Sequence, residues 1–196
     1  MDLDSKSFNA LAEVGEHFNK LHREFIERAK IKYNGLRTKD GPLLEVVKFS
    51  EIETKDKMVI DFGCGIGKLS KLIDFTGYIG VDISQKKIER AKKGQKDETY
   101  FLNESITSIV LPRKVDIGYC INTFEAFPED YLQKAFLIVS DAVKQLVVCI
   151  DLKPKVWHET RKTHSWWMNE LSYYFEIGEF KEDGKYLMII CNEKKW

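Results

Sequence analysis

The run Asp61-Phe62-Gly63-Cys64-Gly65-Ile66-Gly67, entered from the apolar Met58-Val59-Ile60, constrains this chain more than any other stretch. Apolar residues that end in a glycine-rich turn mark a buried strand giving way to a helix, and glycines there let the backbone approach a bound ligand closely. A second short apolar run, Tyr78-Ile79-Gly80-Val81, ends in Asp82. A carboxylate at that place can accept hydrogen bonds from a ribose diol, so the two runs together read as a nucleoside-cofactor site.

From residue 57 onward, apolar runs over Met58 to Phe62, Tyr78 to Ile83, Thr99 to Leu102, Val115 to Ile121 and Gln145 to Ile150 alternate with helical patterns. The helical periodicity falls on Lys68 to Phe75, Gln85 to Lys93 and Glu129 to Val143, and Ser84 is placed to cap the second of these. Repeated strand-helix-strand units predict a doubly wound α/β fold with a mostly parallel sheet. Near the C-terminus, Ser165 to Phe175 reads as a helix. Phe175 to Phe180 and Lys185 to Cys191 read as two strands joined at Glu182-Asp183-Gly184, a closing hairpin.

Upstream, apolar residues between Phe8 and Ala29 recur every three or four positions, which predicts an amphipathic helix over 7–32, ended by Tyr33-Asn34-Gly35. Pro42 to Val47 suits a short helix with proline in its first turn. The expectation is one domain over 1–196, with a helical extension over 1–50 and a Rossmann-like core over 57–192. The 196 residues are enough for one domain with a full core.

Lys+Arg and Asp+Glu each number 31, so the net charge of zero points to no obligatory nucleic-acid or membrane partner. Cys64, Cys120, Cys149 and Cys191 lie far apart in apolar or glycine-rich runs, without the spacing of a zinc site. They read as buried, reduced thiols, and no metal is expected. The acidic start, Met1-Asp2-Leu3-Asp4-Ser5, lacks the pattern of a signal peptide, so a cytoplasmic location is expected.

The glycine run also separates cofactors. A dinucleotide fingerprint needs G-x-G-x-x-G, and counting from Gly63 puts Lys68 where the third glycine belongs; counting from Gly65 fails as well. NAD is disfavoured on that ground.

With Gly80-Val81-Asp82-Ile83-Ser84 behind it, Val59 to Gly67 resembles the class I S-adenosylmethionine-dependent methyltransferases. The resemblance implies a seven-stranded sheet with helices on both faces, an antiparallel last strand, S-adenosylmethionine as cofactor and S-adenosylhomocysteine as product. It implies that Asp61, Gly63, Cys64, Gly65 and Gly67 surround the methionine part and ribose, that Asp82 holds the ribose hydroxyls and that Ile83 flanks the adenine. Asn103-Glu104-Ser105 resembles, with departures, the acidic segment that follows the third strand, so these three residues are candidates for the adenine. The end of the fourth strand, Asn122-Thr123-Phe124-Glu125, should face the transferable methyl, with Asn122 beside the cofactor. It lacks the paired prolines of the amino-DNA methyltransferases, and no cysteine follows a proline as the cytosine-C5 enzymes require.

The segment from Asp151 to Trp167 is dense in functional residue types. Its His158-x-Thr160 followed by Trp166-Trp167 resembles a loop of bacterial and phage members of this group. An imidazole can take a proton from an attacking hydroxyl, and an indole can stack on a sugar, ring or cation. His158, Asn122 and Glu125 are therefore the catalytic candidates, and Trp157, His164 and Trp166 the substrate candidates. A plainer reading has His164-Ser165 opening a helix with Ser165 as its N-cap. The expected activity is direct transfer of a methyl group to oxygen or nitrogen of a small molecule such as a sugar or metabolite. Two other readings stay open, a non-catalytic cofactor-binding partner subunit and a tRNA or protein methyltransferase.

Overall fold

The computed structural model describes residues 20, 23–34, 42–153, 155 and 157–194. The expected helix over residues 7–32 is present where it is described, with residues 23–34 forming α1; its first part and Gly35 lie outside the described residues. The other elements are α2 (Leu43–Ser50), β1 (Met58–Phe62), β2 (Gly77–Val81), α3 (Gln85–Lys92), β3 (Thr99–Leu102), β4 (Val115–Ile121), α4 (Glu129–Ala142), β5 (Val143–Asp151), α5 (His164–Tyr174), β6 (Phe175–Glu182) and β7 (Tyr186–Glu193).

The strands form one seven-stranded sheet in the order β3-β2-β1-β4-β5-β7-β6. Strands β1 to β5 pair in parallel, and β7 runs antiparallel to both β5 and β6. This is the expected doubly wound α/β architecture with its closing hairpin. The chain moves outward from β1 to β3 and then crosses to β4 on the other side of β1. The strand order reverses there, and β1 and β4 part to leave a crevice at their carboxyl ends.

Side chains alternate across the sheet with a period of two, so each central strand feeds two cores. Along β5, Leu146, Val148 and Ile150 join Phe136 and Val139 of α4 and Trp167 and Leu171 of α5 on one face. Val147 and Cys149 join Val46 of α2 and Ile88 and Ala91 of α3 on the other. All four cysteines are buried and reduced.

Two local readings need correction. Lys68 to Phe75 is not a helix; the described structure has only a 3₁₀ turn, Leu69–Lys71, with Leu72 N–H bonded to the Leu69 carbonyl at 2.9 Å. The five residues of β1 rise about 17 Å, and after the glycine turn few residues remain to retrace that distance. An α-helix advances only about 1.5 Å per residue, so the connection must be more extended than a helix allows. The second correction concerns α5. Its N-cap is Thr163, whose hydroxyl accepts from Trp166 N–H at 3.3 Å, and Ser165 lies inside the helix.

Candidate active site

A cavity of about 630 Å³ opens at the carboxyl ends of β1, β2 and β4. Its floor is the glycine loop. The N–H groups of Gly63 and Cys64 both bond to the Val81 carbonyl, at 2.7 and 3.0 Å, which folds the loop over the end of β2. Gly63 has φ +79, and a Cβ there would lie 2.2 Å from Thr123 Oγ1. Only glycine permits that approach between the β1 and β4 loops. Gly67 serves packing instead: it does not line the cavity, and a Cβ on it would meet the Phe101 ring at 2.5 Å.

Two acids stand on the cavity wall in different settings. Asp82 accepts from Gly65 N–H at 2.9 Å through Oδ2 and from Ser84 N–H at 2.8 Å through Oδ1. Ser84 in turn caps α3, its side chain accepting from Lys87 N–H. Asp61 is buried beneath the loop, where the Tyr78 hydroxyl donates to its Oδ2 at 2.6 Å. Burial pushes the Asp61 carboxyl up to about 7; the Tyr78 hydrogen bond opposes this, and the charge of Asp82 adds to it.

Of the residues singled out from sequence, Asp61, Gly63, Cys64, Gly65, Asp82, Ile83, Glu104, Ser105, Asn122 and Trp157 line this cavity. Asn122 has φ +51, a left-handed conformation that asparagine tolerates better than most residues and that turns the chain sharply at the end of β4.

The remaining candidates lie elsewhere. The Asn103 amide is committed to backbone, donating to the carbonyls of Asp82 and Ile83 at 3.0 Å each. His164 faces outward, its Nδ1 2.5 Å from Glu182 Oε2 and its ring against Phe180. Trp166 packs edge-on against the buried Trp167, with Lys162 over its ring. His158 is buried behind Trp157 and outside the lining, and burial with Lys155 and Arg161 nearby pulls its pKa down to about 4. A neutral, enclosed imidazole of so low a basicity is poorly suited to take a proton from a substrate hydroxyl. Glu125 is likewise buried and outside the lining; burial raises its carboxyl to about 8.

Residues outside the sequence-derived site candidates complete the wall. Phe25, Ala29 and Tyr33 of α1 roof the cavity. Phe25 stacks on Tyr131 of α4 at 4.4 Å, and the Tyr33 hydroxyl donates to the Ala126 carbonyl at 2.8 Å. The Ser84 hydroxyl donates to Asn34 Oδ1 at 2.7 Å, and Lys32 pairs with Glu159. One helix thus bridges the α3 cap, the β4–α4 turn and the Trp157 segment. Lys155 and Lys185 supply positive charge on the β5 and β7 side, Lys155 held by the buried Asp151.

Residues 59–146 match the family model of a methyltransferase domain. Three solved structures share the fold. An S-adenosylmethionine-dependent methyltransferase from Mesorhizobium loti is 14% identical, with a TM-score of 0.65 over 78% of this chain and 98% of that one. The small RNA methyltransferase HEN1 is 20% identical, with a TM-score of 0.65 over 78% of this chain and 25% of its own. The [4+2]-cyclase SpnF is 12% identical, with a TM-score of 0.65 over 77% of this chain and 80% of its own. Among curated proteins, no sequence matches.

The sheet order and the glycine loop define the class I methyltransferase fold. Residues 59–146 carry the methyltransferase-domain match within that fold, and the cofactor of its S-adenosylmethionine-dependent members is S-adenosylmethionine. The cradle suits that group. The floor is backbone made accessible by glycine, acids stand on the side where hydroxyls and a cationic amino acid would be held, and Ile83 and Ile106 offer apolar surface for a base.

Proposed function

We propose that the protein transfers the methyl group of S-adenosylmethionine to oxygen or nitrogen of a small-molecule acceptor. The observation that carries this reading is the roofed cavity. Its 630 Å³ falls within the range of roughly 300–1,000 Å³ typical of small-molecule sites, and Phe25, Ala29 and Tyr33 of α1 line it.

The cofactor supplies an electrophilic methyl on a sulfonium, and the chain's own residues supply placement. Gly63 and Gly65 give close backbone approach. Asp82 offers carboxylate oxygens already oriented by two amides, and Asn122 and Thr123 present polar groups at the end of β4. Tyr33, Phe127 and Trp157 form an aromatic surface on the far side, which would hold the acceptor and exclude water. No histidine lines the cavity among the described residues, so catalysis rests on alignment more than on a histidine base.

The test is methyl transfer itself. Purified protein with methyl-labelled S-adenosylmethionine should convert members of a panel of hydroxylated and amine metabolites, with equimolar S-adenosylhomocysteine. Label appearing only in RNA or protein would overturn the acceptor class. Tight cofactor binding with no turnover on any acceptor would favour a binding subunit.

A further inference from the structure

Glu125 sits at the centre of the turn that joins β4 to α4, one residue from the cavity-lining Ala126, and is 1% exposed. Its Oε1 accepts from Asp151 N–H at 2.9 Å, which ties the turn to the end of β5. Its own carbonyl accepts from both Glu159 N–H at 2.9 Å and Thr160 N–H at 3.2 Å. Two residues on, the Phe127 carbonyl accepts from the Thr160 hydroxyl at 2.7 Å. The Trp157–Thr160 segment, whose Trp157 lines the cavity, is therefore seated on a turn that one buried side chain ties to the end of β5.

The other carboxyl oxygen, Oε2, has no hydrogen-bond partner; with His158 Nε2 it is one of two such buried side-chain atoms among the described residues. An ionised carboxylate in that position would be buried with half its charge unanswered.

We propose that Glu125 is a positioning residue for the acceptor side of the cavity, its buried carboxyl group locking the β4–α4 turn to Asp151 and so seating the Trp157–Thr160 segment. The name of that side rests on the methyl-transfer reading; the contacts do not. The carboxyl performs this role in its protonated form. Its surroundings explain why: burial dominates, a backbone hydrogen bond and then Lys155 oppose it without overcoming it, and Lys155 is already paired with Asp151 on the same side. From α1, the Tyr33 hydroxyl is raised by burial first, then by the charges of Glu159 and Glu125. The Cys120 and Cys149 thiols are raised by burial first and by the charge of Glu125 second. On the seated segment, His158 is neutral near pH 7 and Glu159 pairs with Lys32. When the carboxyl ionises at high pH, Lys155 is the group it would draw away from Asp151, and the seat would loosen.

The experiment is amide exchange by NMR on the full chain, as protection factors corrected for intrinsic rates, in wild type, Glu125→Gln and Glu125→Ala. In wild type, protection of the Asp151, Glu159 and Thr160 amides should fall by about tenfold or more between about pH 7 and about pH 9.5, while amides of β1 hold. Glu125→Gln, which keeps the Oε1 acceptor and cannot ionise, should remove the fall. Glu125→Ala should show low protection of these amides at every pH. A fall that persists in Glu125→Gln, or no fall in wild type, would overturn the proposal. S-adenosylhomocysteine binding within about twofold in Glu125→Gln is expected and separates the two readings. Lost binding in wild type would count against the cofactor site alone and leave the exchange result standing.

Discussion

Asp61 and Asp82 flank the glycine loop, and their differing environments assign them different parts. Asp82 is fixed by two backbone donors, so Asp82→Ala removes a ligand acceptor and leaves the Gly65 and Ser84 amides without their partner. S-adenosylmethionine affinity by calorimetry should fall by about 10- to 100-fold; an unchanged affinity would remove Asp82 from the ribose. Asp61 takes up its proton as pH falls through about 7, because burial outweighs the Tyr78 hydrogen bond. A cationic ligand beside it favours the carboxylate, so binding should release a proton. Affinity is expected to tighten from about pH 6 to about pH 8 by up to about tenfold, and Asp61→Asn should flatten that profile. At this scale the sequence was informative where a residue's job follows from backbone geometry. Gly63 had to be glycine and Asp82 had to follow a strand. For His158 and Glu125 it was silent on burial, and nothing in the spacing of those residues states which way they face.

Among the elements, α1 is the one whose purpose pattern reading could not decide. Its amphipathic spacing was plain, but the bonds that seat it are long-range and use partners without a sequence signature. The Tyr33 hydroxyl finds a backbone carbonyl at Ala126, and Asn34 meets the Ser84 cap. Strands fared better, because β1, β3 and β4 are short apolar runs with sharp ends. The connection after β1 was misread because length, not periodicity, forbids a helix there. The seating of α1 rests heavily on Phe25, stacked on Tyr131 and tilted against Phe127. Phe25→Ala should loosen this helix without unfolding the sheet: protection of amides within 23–34 should drop by about tenfold while amides of β5 stay within about twofold. Equal losses in both would mean that α1 and the sheet unfold as one unit.

Across the whole molecule, the zero net charge conceals buried groups whose titrations oppose one another. The Asp61 and Glu125 carboxyls are raised to about 7 and about 8 from 3.8 and 4.5. Each therefore binds its proton more tightly folded than unfolded. Their contribution is fully present in acid and is lost as pH rises through the folded values. His158 is depressed from 6.5 to about 4, so its contribution is present above 6.5 and lost as pH falls toward 4. Between about pH 4.5 and 6.5 the histidine offsets part of the carboxyl loss; above 6.5 nothing among these three does. Each carboxyl changes stability by ~1.4 kcal/mol per pH unit while its folded form alone holds the proton. The thermal unfolding midpoint should therefore fall between about pH 6.5 and about pH 8.5, and Glu125→Gln should make the fall shallower. Asp61→Asn should act in the same direction over a window ending nearer pH 7. A midpoint that is flat in wild type, or a fall equally steep in both variants, would show that these carboxyls are not the groups through which pH acts on the fold.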